Sequence, residues 1–266
     1  MPHKTSKIRT VFRQGIAGLK LFGIDTEGLL KSMRGSPTFV RDLLYYYRQH
    51  SGSGREFRFG KLYPCLTDRD DNAGSAQGDY FHQDLLVSQW IFERKPDKHV
   101  DIGSRVDGFV AHVATFMPIE VFDIRPLSTT AQNIHFRQCD IMGDIGALTE
   151  YTSSLSCLHA LEHFGLGRYG DRVDYYGHVK GWENIYSMLV PGGTFYFSSP
   201  VGPSCVEFNA HRVFSTRYLM NIINGRYLVE RFAYVDSHGE LFRDVEPLSQ
   251  KVLDGRGCGV FMLRKQ

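Results

Sequence analysis

The 266-residue sequence has no apolar run of about 18 residues, the length needed to cross a bilayer as a helix. Near its start it also lacks the uninterrupted apolar stretch of a signal peptide, so the expectation is a cytoplasmic protein. Cysteines are few and scattered: Cys65, Cys139, Cys157, Cys205 and Cys258 form no CxxC and no close Cys/His pair. That excludes a zinc ribbon or finger and a disulfide-stapled fold, and fits reduced thiols. Net charge is low as well, at +2. What is present is apolar and aromatic: 42% hydrophobic residues, with 19 Phe and 14 Tyr, supply a sizeable core and exclude a disordered or low-complexity chain.

The small net charge conceals a division. Through Lys61 there are twelve Lys and Arg against four acids, whereas the rest of the chain carries six more acids than bases. Two readings of the basic front remain open: a surface that faces something anionic, or helix faces solvated by basic side chains. Residues 7–22 place Ile8, Val11, Phe12, Ile16 and Leu19 on one helical face and form a basic amphipathic helix. Asp25 or Thr26 is expected to cap a short second helix through Met33, and Pro37 to open a third. Residues 51–78, rich in Gly, Ser and Asp, read as a linker, so residues 1–78 form a helical basic extension and 79–266 the main domain.

From Lys98 onward short apolar strands alternate with helical segments, the pattern of an α/β sheet. Strands are expected near residues 99–102, 119–123, 134–138, 154–158, 194–199, 227–235 and 259–264, which makes seven. Helices are expected over 80–94, with Leu85, Leu86, Trp90 and Ile91 buried, and over 109–116, 175–189 and 216–223. In such a sheet ligands bind beyond the C-terminal strand ends where strand order reverses. The loop after the first strand, Asp101-Ile102-Gly103-Ser104-Arg105-Val106-Asp107-Gly108, puts a glycine where a backbone must pass close under a ligand. Twenty residues beyond Gly103, Asp123 ends the second strand and suits a bidentate grip on ribose hydroxyls. Arg105 occupies the second glycine position of a GxGxxG loop, so the pyrophosphate fingerprint fails and a nicotinamide oxidoreductase is disfavoured. Asp140 and Ile141, after the third strand, suit an adenine amino group and an adenine ring, or else Asp140 is a helix cap.

These blocks, with Leu158-His159-Ala160-Leu161-Glu162-His163 and Leu189-Val190-Pro191-Gly192-Gly193-Thr194, resemble a class I S-adenosylmethionine-dependent methyltransferase. The resemblance implies a Rossmann-like, mostly parallel seven-stranded sheet and S-adenosyl-L-methionine as cofactor. It places Gln83, Asp101, Gly103, Ser104, Arg105, Asp123, Asp140, Ile141 and His159 around that cofactor. More narrowly, Tyr80 to Asp84, Asp101 to Val110, Asp123-Ile124-Arg125-Pro126 and the segment from Leu161 to Asp171 resemble a poorly characterised methyltransferase-like family of nematodes and bacterial polysaccharide gene clusters. That likeness implies O-methylation of a sugar or glycan, lipid-linked acceptors included, or else an inactive scaffold in glycan biosynthesis. Removing a hydroxyl proton needs a base that titrates near neutrality, and His163 or His211 is the candidate, with Glu162 orienting the imidazole or the acceptor. The histidines read equally as packing and loop-anchoring residues. No ligand spacing on one helix indicates a metal site. Arg168 and Tyr169, in the glycine-rich 165–171 segment, are available to touch a sugar or an acid. The basic helix suits contact with an anionic membrane surface, and the acidic body argues against nucleic acid.

Overall fold

The computed structural model describes residues 22–52 and 57–266, and divides the chain into two compact units, Met1–Ser75 and Ala76–Gln266. The basic helix expected over residues 7–22 lies almost wholly outside the described residues.

In the first unit one long helix, α1 (Thr26–Gly52), replaces the two expected. Asp25 does cap it, since Oδ1 accepts from the backbone N–H of Glu27 and Gly28 at 3.1 and 3.0 Å. Pro37 fails to start a new helix because it removes only one intrahelical donor. Leu30, Met33, Val40 and Leu44 keep the same helical phase across it.

In the second unit α2 (Asp79–Arg94) precedes β1 (His99–Ile102). A π-helical turn (Val106–Val110) and a short α3 (Ala111–Ala114) follow, where a single helix over 109–116 was expected. Arg105 and Asp107 stand where a tight glycine turn would have glycines, and Gly108 breaks helical geometry at φ −121° and ψ −116°. Next come β2 (Ile119–Asp123), β3 (Ile134–Gln138), β4 (Thr152–Leu158), α4 (Gly177–Met188) and β5 (Leu189–Val201). A hairpin of β6 (Cys205–Glu207) and β7 (His211–Val213) leads to α5 (Thr216–Ile223), β8 (Tyr227–Asp236) and β9 (Leu241–Arg243). The chain closes with α6 (Gln250–Asp254) and β10 (Gly257–Lys265).

The eight-stranded sheet has the order β3-β2-β1-β4-β5-β10-β8-β9. Strands β3, β2, β1, β4 and β5 are parallel neighbours, and β10 runs antiparallel between β5 and β8. This is the Rossmann-like methyltransferase sheet that the motifs imply, with β9 as an eighth edge strand. The six-residue segment 189–194, with Pro191, Gly192 and Gly193, lies inside β5. Thr152 pairs with Leu189 and Ser154 with Thr194, so residues 190–193 bulge outward with Gly192 at φ +75°.

Both faces of the sheet are covered, which is why its strands are buried along nearly their whole length. Successive residues of β10 show the alternation: Phe261 and Leu263 join the cluster containing Trp182 and Ile185 of α4, whereas Val260 and Met262 join Leu86, Val87, Trp90 and Ile91 of α2. Leu85, expected in that stripe, is 39% exposed, and Val87 takes its place in the core.

Candidate functional site

Strand order reverses between β1 and β4, and beyond their C-terminal ends lies a cavity of about 660 Å³. Its wall includes Gln83, Gly103, Ser104, Arg105, Asp123, Asp140, Ile141, His159 and His163 of the expected site. Asp101, Glu162 and His211 do not line it.

The floor is set by β1. Register places Asp101 opposite Ser156, and the fully buried carboxylate accepts from Ser156 Oγ (2.5 Å), Ser104 Oγ (2.8 Å) and the Ser104 backbone N–H (3.0 Å). Asp101 therefore anchors the loop from beneath and does not face a ligand. Burial pushes its carboxyl up to about 6 against the downward pull of those donors. His99, one step further in, bridges Ser154 Oγ (2.8 Å) and Ser156 Oγ (3.0 Å), and burial alone takes its imidazole down to about 3. Gly103 has φ +77°, and a Cβ there would sit 2.8 Å from Ala160 Cβ, so only glycine fits. Arg105 turns to Asp107, with nitrogens at 2.9 and 2.6 Å from its carboxylate, and the pair is largely solvent-exposed.

Asp123 ends β2 at the cavity edge, but both its oxygens are engaged. Arg125 donates to Oδ1 from its backbone N–H (2.8 Å) and Nε (3.0 Å), and to Oδ2 from Nη2 (2.5 Å). A bidentate grip on a diol therefore requires Arg125 to yield at least one oxygen. Asp140 is a turn residue and not a helix cap: its Oδ1 accepts from Met142 N–H at 2.9 Å. Beside it Ile141 is buried, with its carbonyl bonded to Asn184. Gln83 reaches the wall from α2 with its amide tied internally, to Ser198 Oγ (2.5 Å) and Asp84 Oδ1 (3.1 Å).

After β4 the chain enters a 3-10 turn, Leu161–His163. His159, at φ +47°, has both ring nitrogens occupied: Nδ1 lies 2.9 Å from Glu162 Oε1 and Nε2 lies 3.2 Å from Cys258 Sγ. Burial opposes a charge there, but the Cys258 sulfur and the Glu162 carboxylate outweigh it and hold the imidazole well above its usual value. Its ring meets Tyr80 at 5.0 Å between centroids, so His159 offers the cavity a ring face and no free nitrogen. Glu162 is fully buried and its Oε2 has no hydrogen-bond partner among the described residues. His163 donates from Nδ1 to Ala210 O (2.7 Å), which leaves Nε2 as the lone-pair nitrogen of the neutral ring, 3.9 Å from Glu162 Oε1. Burial holds this imidazole below its usual value.

Ala210 belongs to the turn of the β6–β7 hairpin, an element the sequence does not announce because each strand has three residues. Arg212 fastens the hairpin to the turn, with Nη1 donating to Phe164 O (2.6 Å) and Nη2 to Tyr175 O (3.2 Å). His211 lies outside the cavity, its ring 6.4 Å from that of His163 and its Nε2 3.5 Å from Glu207. Among the described residues no three His, Cys, Asp or Glu side chains are grouped to hold a metal ion.

Residues 165–171 form the remaining wall. Asp171 accepts from the backbone N–H of Gly165 (2.8 Å), Gly167 (3.2 Å) and Tyr169 (3.2 Å), so its charge is spent folding the loop. The sequence alone assigns no role to Asp171 or Arg125. An acid closing a Gly-x-Gly run is a signal for the first, and a base two residues from a strand-end acid for the second.

Sheet order, the glycine turn after β1 and a cavity at the switch point define the class I S-adenosylmethionine-dependent methyltransferase type of fold. The family model described as "Caenorhabditis protein of unknown function, DUF268" matches residues 134–257, in agreement with the narrower resemblance to a nematode family. Among solved structures, the chain is similar to the N-methyltransferase NodS from Bradyrhizobium japonicum WM9 in complex with S-adenosyl-L-homocysteine. Identity is 14%, over 71% of this chain and 88% of that one, with a TM-score of 0.47. It is also similar to a Burkholderia thailandensis 1,6-didemethyltoxoflavin-N1-methyltransferase with bound 1,6-didemethyltoxoflavin and S-adenosylhomocysteine (13% identity, 86% of this chain and 89% of that one, TM-score 0.46). A [4+2]-cyclase, SpnF, has 12% identity over 73% of this chain and 84% of that one, with a TM-score of 0.48. These are likenesses of fold alone. No curated protein sequence matches the chain.

Proposed function

We propose that the protein is an S-adenosylmethionine-dependent methyltransferase acting on a hydroxyl of a sugar or glycan intermediate. The observation that carries the reading is the convergence of Gly103, Asp123, Asp140 and Ile141, from the ends of three adjacent parallel strands, on one cavity of about 660 Å³. A cavity of that size suits a nucleoside ligand. The donor set also fits: Asp123 for ribose hydroxyls, Asp140 with a free Oδ2 for an amino group, and Ile141, Ile102 and Phe122 for a ring.

S-adenosylmethionine, when bound, supplies a methyl group already activated on sulfur. The protein then has to align the acceptor and take up its proton. His163 is suited to that task, since its Nδ1 is fixed on Ala210 and its depressed basicity keeps Nε2 unprotonated at neutral pH. Glu162, 3.9 Å away, stabilises the imidazolium that forms. Calorimetric titration with S-adenosylhomocysteine should show micromolar binding that Asp123→Ala abolishes, and no binding at high micromolar ligand would overturn the reading.

A second reading, an inactive binding protein of glycan biosynthesis, is favoured by the engagement of both Asp123 oxygens by Arg125. Methyl transfer to an extracted glycan acceptor, lost in His163→Gln, would eliminate it.

A further inference from the structure

The three arginines that line the cavity are not equally engaged. Arg105 is paired with Asp107, and Arg125 with Asp123. Asp171 accepts from three backbone amides and forms no ion pair among the described residues. Arg168 differs: among the described residues no carboxylate pairs with it, and its Nη1 donates to the uncharged Ala210 carbonyl at 3.0 Å. Its guanidinium carbon lies 5.0 Å from the centre of the Tyr169 ring, and that of Arg125 lies 4.6 Å from the same ring. Two guanidinium groups thus share one aromatic ring, and of the two only Arg125 has a carboxylate partner among the described residues, Asp123. Arg168 Nη1 also approaches His163 Nδ1, at 3.5 Å.

The loop is built to hold this arrangement. Asp171 folds residues 165–171 back on their own amides, and the hairpin carbonyl of Ala210 fixes one edge of the Arg168 guanidinium. The remaining N–H groups keep the planar fork that matches a carboxylate or phosphate oxygen pair. We infer that Arg168, backed by Tyr169, is an anion-recognition subsite of the cavity, which selects a ligand carrying a carboxylate or a phosphate next to the reacting group. On the methyltransferase reading, on which the identity of this ligand rests, that anion belongs to the acceptor, as in an acidic or phosphorylated sugar.

The test uses the full chain and four probes: inorganic phosphate, glucuronate, S-adenosylhomocysteine and 5′-methylthioadenosine, the last lacking the amino-acid carboxylate. Arg168→Gln is expected to weaken the anion it serves by about 10- to 100-fold, the range for one charged hydrogen-bonding partner. Arg168→Lys keeps the charge without the fork and should lose less, and it serves as the readout should the Gln variant melt at lower temperature. Loss of phosphate and glucuronate binding with both nucleosides unaffected supports an anionic acceptor. Loss of S-adenosylhomocysteine binding with 5′-methylthioadenosine retained would instead assign Arg168 to the amino-acid end of the cofactor and overturn the acceptor subsite. Wild-type affinity of both variants for every probe, or no binding of phosphate or glucuronate by the wild type together with unchanged nucleoside binding in the variants, overturns the subsite. Failure of the wild type to bind either nucleoside would sink the methyltransferase reading while leaving an Arg168-dependent anion site standing.

Discussion

His99 and Asp101 lie two positions apart on β1, joined through Ser156, and they respond to acid in opposite directions. The His99 imidazole falls from 6.5 to about 3, so the stability it contributes is present above 6.5 and drains away as pH drops toward 3. The Asp101 carboxyl rises from 3.8 to about 6, so its contribution is full below 3.8 and is lost as pH climbs through 6. Each changes stability by at most about 1.4 kcal/mol per pH unit within its window. Urea unfolding at pH 7 and pH 5 should therefore show a smaller acid loss in His99→Gln than in the wild type, and a larger one in Asp101→Asn. An unchanged difference in both variants would refute the buried chain as the source of acid sensitivity. His163 makes a separate prediction about rate. Because burial depresses its basicity, kcat/KM should be flat near pH 7 and fall only below the usual imidazole range. His163→Gln should lose about 10²- to 10⁴-fold in kcat together with that acid limb, while S-adenosylhomocysteine affinity stays within about twofold.

At the scale of elements, the glycine turn after β1 is where local chain geometry meets tertiary packing. Gly103 and Gly225 have nearly the same left-handed backbone, φ +77° and +75°, but a Cβ at Gly225 meets nothing within 4 Å, whereas one at Gly103 lies 2.8 Å from Ala160 Cβ. Gly225→Ala should cost about 1 kcal/mol for the backbone alone. Gly103→Ala should cost more than that and also weaken nucleoside binding, and equal melting temperatures for the two variants would show that the β1 loop moves freely away from Ala160. The same scale explains what was legible. Strands β1, β2 and β3 have the expected bounds because each is a short apolar run flanked by turn residues. The hairpin β6–β7 and edge strand β9 escaped because three residues show no period. The long α1 was misjudged because a single Pro outweighed an apolar phase that continues on both sides of it.

At the scale of the whole molecule, every described residue that lines the cavity belongs to the unit Ala76–Gln266. A fragment of residues 76–266 should fold alone and bind S-adenosylhomocysteine as the full chain does, and a fragment that folds without binding would show that the front part completes the site. The surplus of eight positive charges through Lys61 predicts salt-sensitive flotation of the full chain, but not of the fragment, with anionic vesicles. No described helix is long and apolar enough to cross a membrane. The sequence by itself determined the alternation of strands and helices, the glycine at 103, and the acids at the ends of β2 and β3, since these are local consequences of periodicity and backbone geometry. Tertiary structure alone decided which charges are free. Asp101 is withdrawn beneath the loop by Ser104 and Ser156, Asp123 is held by Arg125, His159 is pinned between Glu162 and Cys258, and Arg168 has no carboxylate partner among the described residues. Cys258 stands 99 residues from His159 in sequence and Ala210 stands 47 from His163, separations across which no local pattern carries information about which polar atoms will meet.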